Sequence, residues 1–429
     1  MLRTEVKTEL ASGWTALLCS TIGYGCGSPL FMYTANLFVI PLETAKGWSR
    51  AEIAAGTSIV LLVTAIAMPL VGSLIDRVGA RPVNFGSIVG YFIVCLLLGF
   101  GSYGLAGFYL LMILLALFFP GTSVIVFARQ ITRSFKALRG TALAIMLSGT
   151  ALVLTFVGPY LRGLMVSGDW QAGYRTLGTV CMVIGLPMGI LATRSARGGE
   201  ALNLPPDVVG LSLKAAIRTS VYWQIVLAVA AGALPLGGIL GQLTPILVAE
   251  GQPSNAVAVI ASVFVLAVVF GRIVVGGLLD LLNPGLVAAA VMAIAAVTLA
   301  LLSASVSSFF ICCLVAVAAG SAMGAEGDIP SFFTARFFGL GHFSAILGSI
   351  STFTSIGLAV GGYVYGRLFD TYGDYNFAIA LSSGSFALSA LMFATVCRRR
   401  PFLATAGATV LAGNHDAPHP QERSFRKNQ

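Results

Sequence analysis

Apolar positions along the chain come in runs of about 20 residues, the length that crosses a hydrocarbon core. Short polar turns separate them. Twelve runs can be delimited, at 13–40, 51–75, 82–101, 104–128, 140–163, 173–193, 220–249, 255–281, 285–305, 307–335, 342–368 and 375–397. Within a run the pattern does not alternate as a transmembrane β-strand requires. Open sheets cannot stand in lipid, where unpaired backbone groups are too costly. The pattern therefore predicts an all-α membrane protein of twelve transmembrane helices.

Composition strengthens this reading. Of 429 residues, 57% are hydrophobic and only 10% charged, against about 25% charged in soluble domains. The net charge of +9 is a matter of placement. With twelve spans both termini share one side, and nineteen Lys and Arg residues fall on that side against five on the other. The positive-inside rule then puts both ends in the cytoplasm, with the chain multi-pass in the cytoplasmic (inner) membrane. No basic patch interleaved with aromatics suggests nucleic acid. Residues 194–219 form a polar linker containing Pro205-Pro206, and 398–429 a basic tail expected to be disordered. The first run lacks a small-residue cleavage site and reads as a span. Cys19, Cys26, Cys95, Cys181, Cys312, Cys313 and Cys397 lie in or beside apolar runs, without metal-site or disulfide spacing.

The halves on either side of the linker echo each other. Gly72-Ser-Leu-Ile-Asp76 after span 2 matches Gly276-Gly-Leu-Leu-Asp280 after span 8, an offset of 204. Gly158-Pro-Tyr160-x-x-Gly163 in span 5 matches Gly361-Gly-Tyr363-x-x-Gly366 in span 11, an offset of 203. Six spans preserve membrane orientation, so the bundles 1–193 and 220–397 read as parallel repeats about an axis along the membrane normal. Two such bundles can rock around a site between them, the geometry of alternating access. No HExxH, GxSxG or GxxxxGK[ST] motif occurs, so an enzyme, a metal site, a resident cofactor and ATP-driven work are not expected. Gradients remain as the energy source. The chain is expected to act as a monomer.

The loop Gly72-Ser73-Leu74-Ile75-Asp76-Arg77-Val78-Gly79-Ala80-Arg81 resembles the signature between spans 2 and 3 of the major facilitator superfamily. Gly47-Trp48-Ser49-Arg50-Ala51, Arg139-Gly140-x-Ala142-Leu143-Ala144-Ile145, and Trp170 with Tyr174 and Arg175 resemble its monocarboxylate and oxalate/formate branch. So do Gly324-Ala-Glu326-Gly-Asp328 with Arg336-Phe-Phe-Gly339, and Gly366-Arg-Leu-Phe-Asp370-x-x-Gly373-x-Tyr375. The resemblance implies the major facilitator fold. Its signature makes physical sense as a conformational latch. Gly72 lets a helix approach and Gly79 permits a tight turn. Asp76 can accept hydrogen bonds from helix N-terminal amides or from Arg77 and Arg81. Asp280 lacks following arginines, and a weaker latch is expected there.

Charges inside spans are costly and usually functional. Arg272 lies in span 8, where the resemblance implies an arginine that holds a substrate carboxylate; its planar fork suits that task. The bland alternative is an arginine that snorkels to the cytoplasm or pairs with Asp280. Glu326 and Asp328 sit two positions apart in span 10, on different faces. Either could take or release a proton as it meets or loses Arg272, with Glu326 preferred as the deeper. Structural pairs Arg272–Glu326 or Asp328–Arg336 are the alternative. Tyr24, Tyr33 and Asn36 of span 1, with Gln242 and Thr244 of span 7, could complete a pocket. Some oxalate carriers of the resembled branch use a lysine in span 11, and none is present here. The expectation is proton-coupled carriage of a small organic anion, monocarboxylate-like. The rival is a proton-coupled efflux pump for drugs or metabolites.

Overall fold

The structure of the protein is a computed structural model, and it describes residues 2–195, 210–303 and 308–397. The middle of the 194–219 linker and the whole 398–429 tail lie outside the described residues. Among the described residues nine helices are each long and apolar enough to cross a bilayer, and three bent pairs bring the number to as many as twelve. The first six are Thr8–Gly25 with Ser28–Lys46, Arg50–Val78, Ala80–Phe100, Leu105–Phe118 with Pro120–Ser134, Arg139–Val166 and Trp170–Thr193. A short linker helix, Leu213–Ile217, precedes the second six. These are Ser220–Ala249, Ser254–Leu281, Pro284–Ser303, Phe309–Ala325 with Asp328–Phe338, Phe343–Tyr372 and Asn376–Val396. They are spans 1 to 12 below. All seven cysteines are free thiols.

Hydropathy alone suggests unbroken rods for spans 1, 4 and 10, but these bend by 40°, 49° and 43°. Proline is the local cause. Pro29, Pro120 and Pro330 each stand in the first turn of the second segment. There a missing N–H costs nothing within that segment, yet the preceding helix cannot continue through it. Turns between spans use equally local signals. Ser49 and Glu52 form a reciprocal capping box at the start of span 2, with bonds of 2.8 and 3.2 Å. Gly79, the single residue between spans 2 and 3, has φ +100°, a conformation that disfavours any side chain.

The repeat read from sequence recurs in backbone geometry. Left-handed glycines end spans 1 and 7 at Gly47 and Gly251, and close spans 5 and 11 at Gly168 and Gly373. Their offsets, 204 and 205, continue the series. Inside each half, small residues and hydroxyls bring helices together, as membrane interfaces favour. Gly23, Gly25 and Gly27 lie against Phe127, Gly149 and Thr122 of spans 4 and 5. In the second half Ser385 and Ser389 donate to the carbonyls of Ala231 and Ala228 at 2.8 and 2.7 Å, while Tyr365 shares a 2.7 Å bond with Ser382.

The halves meet chiefly towards the face that carries the chain ends, here the basal face. Span 2 packs on span 11 and span 5 on span 8. One apolar core runs through the second half and into the basal part of the first, including Ile75, Phe127, Phe135 and Leu143. The distal part of the first half keeps a separate core around Phe31, Phe38, Trp170 and Tyr174. Among the described residues no hydrogen bond crosses the seam on the distal side of Thr352–Ala65 and Arg272–Leu147. The hydrogen bonds described between the halves thus lie from the middle of the seam to the basal face.

The span 5–span 8 contact is backbone-close, and this yields a test. A Cβ at Gly276 would meet the Ala144 methyl and the Gly140 carbonyl, both at 2.7 Å, whereas at Gly277 it would meet only the Thr141 hydroxyl at 3.8 Å. Gly277→Ala should gain helix propensity, up to ~1 kcal/mol. Gly276→Ala should destabilise by about 1–3 kcal/mol through overpacking. Thermal unfolding of the two variants should move in opposite directions; equal shifts would contradict the close approach.

Candidate functional site

The seam is held by two carboxylates placed by the repeat. Asp76, at the foot of span 2, accepts from the Ser344 and Ala345 amides at 3.3 and 2.8 Å. Asp280, at the foot of span 8, accepts from the Gly140 and Thr141 amides at 2.6 and 2.8 Å and from the Thr141 hydroxyl at 2.9 Å. Donors and acceptors both differ by 204 in number, so one joint is made twice. In each, an aspartate of one half sits on the N-terminus of a long helix of the other, where free amides and the helix dipole favour negative charge. Gly72 lies against the Ser344 carbonyl, as Gly140 does against that of Gly276.

The two joints differ in their cations, not as expected. Arg77 and Arg81 do not bond Asp76. Its ion partner is Arg129 of span 4, at 2.9 Å, with side-chain exposures of 3% and 7% for the pair. Arg129 also donates to the Ile75 carbonyl at 2.9 Å and the Ser344 hydroxyl at 3.5 Å. Sequence reading ended span 4 at 128 and left Arg129 in a loop. The proline break lets the second segment run to Ser134, which carries Arg129 inside. The corresponding positions of span 10, at offsets of 203 and 204, are Phe332 and Phe333, both buried. Asp280 therefore has no arginine from span 10; the cation within electrostatic reach of it is Arg139, at the start of span 5, which forms no ion pair with it among the described residues. Each carboxylate meets three donors: two amides and the Thr141 hydroxyl at Asp280, two amides and the Arg129 guanidinium at Asp76. Glu9 braces the same region, accepting from the Lys136, Ala137 and Leu138 amides just before span 5.

Arg272 lies deeper in the seam. Its Nε donates to the Gly324 carbonyl of span 10 and one terminal nitrogen to the Leu147 carbonyl of span 5, both at 2.8 Å. Leu147 ends the first segment of span 5, where the helix is interrupted before Gly149–Val166. The guanidinium thus bridges the halves. It neither snorkels nor pairs with Asp280, which is engaged elsewhere. Two of its five N–H groups are used, leaving three for a ligand. Among the described residues no carboxylate forms an ion pair with it. Tyr24, edge-on to Phe127 and beside Thr150, lies within electrostatic reach of Arg272, Tyr33 and Glu326. Tyr33 and Asn36 are exposed one helical turn apart on the distal segment of span 1. Gln242 does not join this group. Its amide oxygen accepts from the Tyr375 hydroxyl at 3.1 Å, which ties it to the turn before span 12; Thr244 is exposed.

The two acids flank the break in span 10. Glu326 ends the first segment and is half-buried. Asp328 begins the second and is 0% exposed, with neither carboxyl oxygen bonded among the described residues. Asp328 is the more enclosed of the two, since the break at Gly327 sets it on a new segment, while Glu326 lies further from the basal end of the span. Neither an Arg272–Glu326 nor an Asp328–Arg336 ion pair forms. The buried hydroxyl of Thr150 lies beside Tyr24; sequence reading missed it because nothing local distinguishes it from other threonines.

The Major Facilitator Superfamily profile matches residues 14–362. No curated protein matches the chain by sequence. Among solved structures it is similar to the proton:xylose symporter XylE bound to 6-bromo-6-deoxy-D-glucose, at 12% identity and TM-score 0.66, covering 89% of this chain and 95% of that one. It is similar to the E. coli fucose:proton symporter FucP at 15% identity and TM-score 0.66, with 90% and 98% covered. A bacterial homologue of the iron transporter ferroportin, in an outward-facing state, is similar at 16% identity and TM-score 0.68, with 90% and 100% covered. At these identities the likeness concerns the fold.

The unequal joints make a prediction. Asp76→Asn strands a buried guanidinium and should cost about 3–5 kcal/mol. Asp280→Asn loses charge-assisted bonds, about 1.5–3 kcal/mol each when removed, but breaks no ion pair among the described residues. Adding Arg129→Met should recover part of the Asp76→Asn loss and do nothing for Asp280→Asn. Thermal unfolding of the single and double variants reads this; absence of coupling between Asp76 and Arg129 would refute it.

Proposed function

The chain belongs to the major facilitator superfamily of transporters, and on that premise we propose that it carries a small organic anion, monocarboxylate-like, by proton-coupled alternating access. The bundles 1–193 and 220–397, joined by the linker 194–219, rock about the seam, with the basal face cytoplasmic and the molecule acting as a monomer. One observation carries the reading: Arg272 stands between the halves, bonded to a carbonyl of each, with donors to spare and no carboxylate partner among the described residues. A charge in such a place is expensive unless paired. A substrate carboxylate supplies the missing partner, and the guanidinium fork receives it with two parallel bonds.

Tyr24 and Tyr33 line the approach from the distal side, Asn36 lies one turn further out, and Gln242 is left out of the binding group. Asp328 takes the leading part in proton coupling, with Glu326 beside it. A fully buried carboxylate with no partner is unstable as an anion, so the neutral, protonated form suits the basal-closed state. Rocking re-exposes the acid and lets it release the proton on the other side. Asp76 and Asp280 hold the basal face shut while substrate enters, and both must let go before it opens. A second reading, proton-driven efflux of drugs or metabolites, draws on the same two acids and needs no anion at Arg272.

Uptake into proteoliposomes separates the readings. Labelled lactate or pyruvate should accumulate when the outside is acid and fail to do so when the gradient is abolished. Arg272→Ala should reduce uptake at least 100-fold, the order expected when about 3 kcal/mol of carboxylate binding is lost. Arg272→Lys should keep a fraction of it. Asp328→Asn should retain exchange of substrate across the membrane while losing gradient-driven accumulation. Undiminished uptake by Arg272→Ala, or expulsion of a cationic dye in place of acid uptake, would overturn the anion reading.

A further inference from the structure

A second space lies between the halves at the basal face, well apart from Arg272 in the sequence. It is a cavity of about 570 Å³ whose wall includes Asp76 and Arg77 from span 2, Lys214 and Arg218 from the linker helix, and His342 at the foot of span 11. Small-molecule sites commonly occupy about 300–1,000 Å³. Asp76 is already engaged by Arg129 and two amides. The side chains of Arg77, Lys214, Arg218 and His342 have no hydrogen-bond or ion-pair partner among the described residues. The cavity wall is therefore strongly positive.

Its two sides belong to different halves. The linker helix is anchored on the second half. Leu211 donates to the Phe338 carbonyl at 2.9 Å, and Trp223 of span 7 donates to the Ile217 carbonyl at 2.9 Å. Ser212 caps the helix through the Ala215 amide at 3.2 Å. These bonds hold Lys214 and Arg218, four positions apart on one face, opposite Arg77 of the first half. Like charges at that spacing repel by a few tenths of a kcal/mol on a helix surface; a multiply charged anion between them turns the repulsion into attraction. One carboxylate would leave most of this charge unmatched. Phosphate offers about two negative charges and several acceptor oxygens, suited to guanidinium and ammonium donors together.

We propose that this basal cavity binds a phosphate-bearing anion, either the headgroup of an anionic lipid or a free phosphorylated solute, and that the bound anion favours the basal-closed conformer. A ligand held by Arg77 on one side and by Lys214 and Arg218 on the other loses contacts when the halves part. Its differential affinity shifts the population towards closure. Binding at this cavity does not depend on what Arg272 holds, so its test and the transport assay fail independently.

The full chain in phosphatidylcholine nanodiscs, titrated with inorganic pyrophosphate at constant ionic strength set by sodium chloride, tests the proposal. Thermal stability should rise saturably. Lys214→Gln/Arg218→Gln, at two exposed positions that bond neither Asp76 nor Arg272, should need at least tenfold more pyrophosphate while keeping the ligand-free unfolding midpoint. Hydrogen exchange of the 140–145 amides, at the Asp280 joint on the other side of the seam, should slow with pyrophosphate in the unsubstituted protein. Repeating the titration in nanodiscs containing phosphatidylglycerol identifies the source. A lost response means the headgroup already fills the cavity, and a retained one means a soluble phosphate does. Equal response in the double variant, no response in phosphatidylcholine, or unchanged exchange at 140–145 would overturn it.

Discussion

An aspartate set on the exposed amides of a helix from the opposite half is the contact on which the arrangement depends. It appears twice, Asp76 on Ser344 and Ala345, and Asp280 on Gly140 and Thr141. The physics is local. A helix N-terminus leaves amides without intrahelical partners, and a carboxylate satisfies two of them at once while meeting the positive end of the dipole. Either element alone would keep water in that role. Brought together, they exclude it, and the glycines beneath them, Gly72 and Gly140, let the backbones come close enough for the carboxylate to reach. Such a joint is strong enough to define one conformer and weak enough to break. The carboxylate and the amides can each be hydrated when separated, so opening exchanges one set of hydrogen bonds for another.

Deeper in the seam the logic is reversed, because there the charges are left wanting. Arg272 is steadied by two carbonyls, one from each half, yet neither carries a full negative charge. Asp328 is sealed from solvent with no donor beside it among the described residues. The satisfied charges at the base and the unsatisfied ones in the middle serve different ends. The former join the two halves; the latter have no ionic partner within 4 Å among the described residues. The break at Gly327 makes the contrast possible, since it allows two acids only two residues apart to experience different surroundings.

Much of the frame was legible in the chain. Twelve apolar runs and a repeat at 203–204 are properties of residue order, and the structure extends the same offset to both joints and to the loop glycines. The three bends were not read, because hydropathy is blind to backbone continuity; Pro29, Pro120 and Pro330 were the available signal. Partner choice was illegible for another reason. Asp76 has Arg77 next to it and Arg81 nearby, and proximity in sequence favoured them. The actual cation, Arg129, is over fifty residues away and is brought in by the packing of spans 2 and 4 on a third. Gln242 was misplaced likewise, since nothing near it foretells Tyr375. The special standing of Arg272 could be read, because a lone cation in an apolar run stands out whatever it touches.

The replacement of an arginine by phenylalanine between the repeats has a mechanical consequence. On the Asp280 side the buried neighbours in span 10 are Phe332 and Phe333, and the nearby cation is Arg139 of span 5, which forms no ion pair with it among the described residues. On the Asp76 side water must solvate a guanidinium and a carboxylate together. The two joints therefore differ in what water must separate: an ion pair together with two amide bonds beside span 2, and hydrogen bonds to a single carboxylate beside span 8. The frame is twofold in its backbone and onefold in its tight ion pair.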